Sequence, residues 1–321
     1  MVQIRSALKY FAYTRLQTGL QLLPAPLADR VASAASHAMV YANPTFRAGY
    51  REAISHVLGR DLSRHEIRSW TSKVARAYGH YWADGARVVK TSGNGIDAGF
   101  RIESGLDHLQ AARDAGNGSI LALAHLGTWE WGGAYLARHD FPLTSVAEIV
   151  EPPKLYEWFV ENRRNAGITV YPLDGGAFGN LAAVLRDGRT VALLCDRDIA
   201  GTGVEVDFFG DRALLPAGPA VLSLRTGAPI LPTAVYHGPG NLRVATIRPA
   251  VNYERSGDLR RDVIGVTQRL ASCLEALIRR APEQWYIFSP NWLNQVDTPV
   301  RRRGGSARAD RSGHPNRSTH P

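Results

Sequence analysis

Apolar residues change their spacing near residue 100. Before that point they recur every three or four positions, the period of a helix with one buried face. Over 3–23, Ile4, Leu8, Phe11, Ala12, Leu16, Leu20 and Leu23 share one side, while Arg5, Lys9, Arg15 and Gln17 fall largely elsewhere. Pro24 and Pro26 end that segment. The same period predicts helices over 27–41, 45–58 and 63–89. The last carries Trp70, Tyr78, Tyr81 and Trp82, side chains that more often build a core than a cofactor site. Gly93, Gly95 and Gly99 mark a boundary.

From residue 100 short apolar runs alternate with helical stretches. Strands are expected over 100–103, 119–124, 144–149, 169–172, 190–195, 204–208, 229–235 and 242–247. Helices are expected over 106–115, 130–138, 154–166, 181–187, 217–226 and 258–280. This alternation predicts an α/β layered fold with a helical N-terminal part. The expected organisation is a helical part at 1–92, an α/β core at 93–296 and a disordered basic tail at 297–321, with an aromatic segment, 285–292, closing the core. The tail's arginines, Gly, Ser, Pro and Asn have nothing to bury.

Composition narrows the function classes only slightly. Of 321 residues, 45% are hydrophobic and 21% charged, ordinary values for a globular protein. The formal net charge is +9, but residues 297–321 hold six arginines against two aspartates, so +4 of it lies in the tail. A modest positive excess suits anionic phosphates on a cofactor, a membrane surface or nucleic acid. Cys195 and Cys273 fit neither a metal site nor a disulfide framework, which points to a reducing, cytosolic side. No run reaches the ~18 apolar residues of a membrane span, and the N-terminus lacks signal-peptide organisation. The basic amphipathic stretch 3–23 admits two readings, a helix lying in a membrane interface or one packed on the body.

Familiar catalytic motifs are missing. Gly93-x-Gly95-x-x-Ala98 follows no strand, so it is not a dinucleotide loop, and His65-Glu66 lacks the second histidine of a zinc helix. No Gly-x-Ser-x-Gly elbow and no phosphate-binding Gly-x4-Gly-Lys loop occurs. No metal site is expected.

The chemistry concentrates at 119–132. The apolar run 119–124 meets His125, and Gly127 and Thr128 then supply turn and helix-start chemistry. His125 and Glu130 would diverge by about 140° on one continuous helix, yet across a strand-to-helix corner they can converge. A carboxylate-held imidazole is a general base. The alternative is a buried histidine with Glu130 merely favouring a helix dipole. Three further clusters stand out: Asp196-Arg197-Asp198 after an apolar run, Glu205 ahead of Phe208-Phe209-Gly210, and the arginines of Glu161-Asn-Arg163-Arg164-Asn-Ala-Gly167, one of which suits a phosphate. Each also reads as a solvated loop, strand or helix end.

Together these motifs resemble the lysophospholipid acyltransferase superfamily, in its bacterial lipid A lauroyl/myristoyl acyltransferase branch. His125-x4-Glu130 matches its His-x4-Asp/Glu motif, with Glu in place of the commoner Asp. Arg163-x3-Gly167 is similar to an Arg-x3-Gly element. Asp196-Arg197-Asp198, Phe208-Phe-Gly210 and Gly218-Pro-Ala220 resemble its Asp-Gln-Asp, Phe-Phe-Gly and Gly-x-Ala sequence. Arg197 and Glu205 look most like the actinobacterial phosphatidylinositol mannoside acyltransferases. The likeness runs from about residue 10 to 296.

The resemblance implies a mixed central sheet flanked by helices, as in glycerol-3-phosphate acyltransferases. It also implies transfer of a long-chain acyl group, palmitoyl expected, from acyl-CoA to a mannose 6-hydroxyl of a phosphatidylinositol mannoside. The enzyme would act as a peripheral protein on the cytoplasmic face of the cell membrane, with acyl-CoA as co-substrate, no bound cofactor and no nucleic-acid partner. His125 would be the base, partnered by Glu130 or Glu205, with His125 and Arg163 on the donor. Glu148, Asp196, Arg197 and Asp198 would hold the acceptor. Leu126, Trp129 and Trp131 could wall an acyl channel or belong to the core. The rivals are a lipid A lauroyl-type or other glycolipid O-acyltransferase, a thioesterase using the same histidine and, in a different class, a phosphate-rich ligand or nucleic-acid binding protein.

Overall fold

The computed structural model describes residues 2–199, 201–289 and 292–293, with side chains from Tyr10 onward. The basic segment 297–321 lies outside the described residues.

Four helices come first: α1 (Val2–Leu22), α2 (Ala25–Ala42), α3 (Pro44–Leu58) and α4 (Arg64–Val88). Local chemistry sets their starts. The Asn43 side chain accepts from the N–H groups of Thr45 and Phe46, and Ser63 with Glu66 closes a reciprocal capping box at α4. A short helix, α5 (Gly93–Ala98), forms where the glycines predict only a boundary, because the Ser92 hydroxyl caps the N–H of Gly95. The apolar stripe of α1 is turned partly inward. Leu20 is buried against Ala28, Ala32, Ala83 and Ala86 of α2 and α4, with Leu16 beside it. Phe11 and Leu22 remain exposed on α1, as do Leu27 and Val31 on α2.

The rest alternates as expected: β1 (Phe100–Ser104), α6 (Leu106–Asp114), β2 (Ser119–Gly127), α7 (Trp129–Arg138), β3 (Leu143–Ala147), α8 (Pro153–Asn165), β4 (Ile168–Pro172), α9 (Ala177–Arg186) and β5 (Thr190–Leu194). Then follow β6 (Val204–Phe208), β7 (Asp211–Leu215), α10 (Gly218–Thr226), β8 (Ile230–His237), β9 (Arg243–Ile247) and α11 (Leu259–Arg280). The β7 strand is unpredicted; it pairs antiparallel with β6 around Phe209 and Gly210, both at positive φ.

Seven strands form one mixed sheet in the order β1-β9-β8-β2-β5-β3-β4, parallel except for the β8–β9 pair. The central strand β2 is apolar on both faces. Ile120, Ala122, Ala124 and Leu126 join the core shared with α3, α4, α9, α10 and α11, whereas Leu121 and Leu123 join the core beneath α7. The helical N-terminal part therefore shares a core with the sheet.

The central strand runs three residues beyond Ala124, its expected end. Leu123 pairs with Thr233 and Gly127 with Val235, so four steps along β2 face two along β8. This bulge carries His125 out of regular pairing. Gly127 closes it at φ +66°, and a Cβ there would stand 1.8 Å from the Val235 carbonyl oxygen. Gly127→Ala should destabilise the fold by about 2–4 kcal/mol, through a disfavoured backbone and a clash with main chain. Urea unfolding measures this, and a change within about 0.5 kcal/mol would contradict it.

Candidate active site

Three neighbouring strands end at one cleft, as open α/β sheets place their ligands. β2 brings His125, β5 leads into Asp196 and Arg197, and β3 leads into Glu148. In the β2–β5 ladder Ser119 faces Thr190 and Leu123 faces Leu194, so two more steps set His125 beside Asp196. The His125 Nδ1 lies 2.7 Å from Asp196 Oδ1. The main-chain N–H of His125 donates to Oδ2 at 2.9 Å, and the Trp285 indole N–H donates to the same oxygen at 2.7 Å.

Asp196 is wholly buried. Burial by itself would raise its carboxyl pKa, but the charge and hydrogen bond of His125 and the Trp285 N–H together hold it below the ordinary aspartate value. An ionised carboxylate accepts only, so Nδ1 must carry the proton and Nε2 is left as the basic nitrogen. The ring lines an open cleft of about 1510 Å³ with Trp129, Tyr156, Arg163, Arg197 and Glu148. The main-chain N–H of Tyr286 fixes the His125 carbonyl at 2.8 Å, so the C-terminal segment holds both members of the pair.

This geometry corrects the expected partnerships. Glu130, on the first turn of α7, faces α4 and α8: Tyr81 Oη donates to it at 3.0 Å and Arg163 lies 3.6 Å away. Burial raises its pKa against the opposing pull of Arg163 and Tyr81. Glu205 points to solvent on the β6–β7 hairpin, paired with Arg212 at 2.5 Å. It does alternate with its buried neighbour Val206, but the polar side of that strand faces water rather than the cleft. Neither glutamate touches the imidazole.

The acceptor assignments change as well. Asp196, sealed from solvent, holds the histidine instead of binding sugar. Asp198 caps its own loop, accepting from the N–H groups of Gly201 and Gly203 at 3.0 and 2.9 Å. Arg197 and Glu148 do line the cleft, 3.7 Å apart. Trp131 and Leu126 are core residues. Trp129 has both roles, with its ring edge-on to His125 and bordering a deeper cavity.

That cavity lies between α7 and the sheet and is lined by Leu121, Leu123, Leu136, Leu143 and Ile168. Trp129, Val146, Arg163 and Leu194 border both it and the cleft. Gly132 and Gly133 let α7 approach the sheet, since Cβ atoms there would stand 2.8 and 2.4 Å from Val235 and Ile168 side chains.

The sequence model of one family, described as bacterial lipid A biosynthesis acyltransferase, matches residues 2–294. The chain belongs to this family. Similar proteins include the phosphatidylinositol mannoside acyltransferase of Mycobacterium tuberculosis, 38% identical over 229 residues, covering 70% of this chain and 71% of that protein. The phosphatidylinositol mannoside acyltransferase of Mycolicibacterium smegmatis is 36% identical over 264 residues, covering 80% and 83%. This family member is thus an enzyme that transfers acyl groups, which sets aside a simple phosphate-rich ligand or nucleic-acid binding role.

Asp196→Asn tests the pair in this acyltransferase. An amide turned toward Nδ1 favours the wrong tautomer, and turned the other way it opposes two N–H donors. Turnover should fall about 10³–10⁴-fold, with about 1–3 kcal/mol of stability lost at neutral pH. The carboxyl is held below its unfolded value of about 3.9. Its stabilisation is therefore whole above pH ~4 and is lost as pH falls through the lower folded value. Unfolding measured against pH should show a shallower acid limb in the variant, and an unchanged limb would argue against an ionised Asp196.

Proposed function

We propose that this enzyme moves a long-chain fatty acyl group, palmitoyl by expectation, from acyl-CoA to a mannose 6-hydroxyl of a phosphatidylinositol mannoside. The observation that carries the reading is the basic nitrogen of His125, set at a cleft that shares Trp129, Val146, Arg163 and Leu194 with the wall of an apolar cavity. The names of the mycobacterial relatives support the glycolipid acceptor.

In this reading the acyl chain enters the cavity under α7 and the thioester carbonyl lies beside His125. The His125 Nε2 takes the hydroxyl proton as the sugar oxygen attacks that carbonyl carbon. The carbon–sulfur bond then breaks, and the thiolate takes the proton back from the imidazolium. An acyl ester and free CoA thiol result. Asp196 holds the tautomer and stabilises the imidazolium. A thiol pKa near ~8.5 makes the leaving group good without further acid. Arg163 binds a donor phosphate or polarises the thioester oxygen, and Arg197 with Glu148 contacts the sugar.

His125→Ala should lower transfer at least about 10²-fold while the fold persists. Thiol release from palmitoyl-CoA, followed with and without phosphatidylinositol mannosides, reads it. Near-normal turnover would reject the base, and equal release without acceptor would indicate a thioesterase.

We also place the protein on the cytoplasmic face of the cell membrane as a peripheral protein. No helix among the described residues is long and apolar enough to cross a membrane. The support is the exposed apolar group Phe11, Leu22, Leu27 and Val31 on α1 and α2. Replacing all four with glutamate should reduce co-sedimentation with anionic liposomes severalfold, and unchanged sedimentation would remove this face from consideration.

A further inference from the structure

The two sides of α4 serve different clefts. Tyr78, Tyr81 and Trp82 face the catalytic cleft. Ser69, Lys73, Arg76 and His80, spaced by four, three and four, form another stripe that lines a second open cleft of about 1600 Å³. Its opposite wall is the loop between β8 and β9 with the strand ends His237 and Arg243, and its end is closed by Glu283 and Gln284. No residue lines both clefts, so the helix separates them.

This lining is unsuited to an acyl chain and rich in uncommitted charge. Lys73 and Arg76 are exposed and make no ion pair among the described residues; Lys73 rests 4.2 Å over the Trp70 ring. Below them lies a buried network. Asp84 is paired with Arg87, Arg243 and His237, the last at 3.3 Å through Nδ1. The second nitrogen of His237, Nε2, is buried without a hydrogen-bond partner among the described residues. The His80 ring stands 5.9 Å from that of His237. Asp29, paired with Arg87 at 3.0 Å, also lies 3.7 Å from the His80 Nδ1, so both imidazoles are backed by carboxylates that Arg87 shares, and Glu283 is the carboxylate of the lining with no ion pair among the described residues. Among the described residues, two cations and one carboxylate without ion pairs, beside two imidazoles, suit a phosphate attached to a carrier with hydroxyl groups.

We propose that this second cleft binds the phosphate of a polyhydroxylated phosphate ester, with Lys73, Arg76 and His80 on the phosphate and Glu283 accepting from the hydroxyls. The site does not depend on the reaction at His125. Two sources share this chemistry, a soluble ester and a lipid headgroup.

The test is titration calorimetry with myo-inositol 1-phosphate, inorganic phosphate and free inositol. The ester should bind more tightly than phosphate, and inositol not at all. Lys73→Gln with Arg76→Gln should weaken the ester about tenfold or more, with circular dichroism and Tm unchanged because both side chains are exposed. Glu283→Gln should narrow the gap between ester and phosphate. His125→Ala should leave ester affinity unchanged. Co-sedimentation with phosphatidylcholine vesicles, with and without phosphatidylinositol, identifies the source. A gain removed by the double substitution marks a lipid headgroup, and ester binding without such a gain marks a soluble ester; both sustain the proposal. Equal ester affinity in the double variant, no ester binding at all, or its loss in His125→Ala would overturn it.

Discussion

A carboxylate cut off from water must find its hydrogen-bond donors inside the protein or give up its charge. Asp196 meets that requirement with a ring N–H and a main-chain N–H from His125 and an indole N–H from Trp285. These come from the two ends of the α/β region, so the site forms only where the central strands and the C-terminal segment meet. The resulting charge fixes the imidazole tautomer, and with it the atom that can take a proton. Buried charge commonly weakens a fold, and here its compensation orients the imidazole.

The same economy shapes the surroundings. The bulge at the end of β2 removes His125 from ladder pairing, so its ring can turn to the cleft while its main chain is caught by Asp196 and Tyr286. Tight packing of α7 on the sheet, permitted by Gly132 and Gly133, leaves a narrow apolar cavity rather than a wide one. Glu130 and Arg163 border that cavity as a pair. Their charges are therefore arranged around the apolar space, and the carboxylate of the His-x4-Glu motif secures α7 to α4 and α8.

Much of this was legible in the residues. Helical period, proline stops and short apolar runs gave nearly every helix and strand, and the corner at His125 lies at the cleft. What failed was partner choice. Glu130 follows from the His-x4-Glu motif and Glu205 from the family resemblance, whereas the carboxylate that touches the imidazole comes from the end of a neighbouring strand. A signal did exist. The stretches 119–124 and 190–195 are both six residues long, and each ends at a polar residue, His125 or Asp196. Parallel pairing in register puts those two residues together, and the hydroxyls of Ser119 and Thr190 meet at the other end, 3.0 Å apart. The role of Trp285 was not readable, since nothing local shows which strand end an indole will reach. The β7 strand was missed because its pairing depends on a tight reversal at Phe209, where a bulky residue adopts positive φ.

The clasp formed by Trp285 and Tyr286 also bears on the protein's birth. A ribosome delivers His125 long before Asp196, and Asp196 long before the indole that covers it. Until the indole arrives the acid can reach water and the imidazole can take either tautomer. The proton's place on the ring is therefore fixed only after Trp285 and Tyr286 have been added.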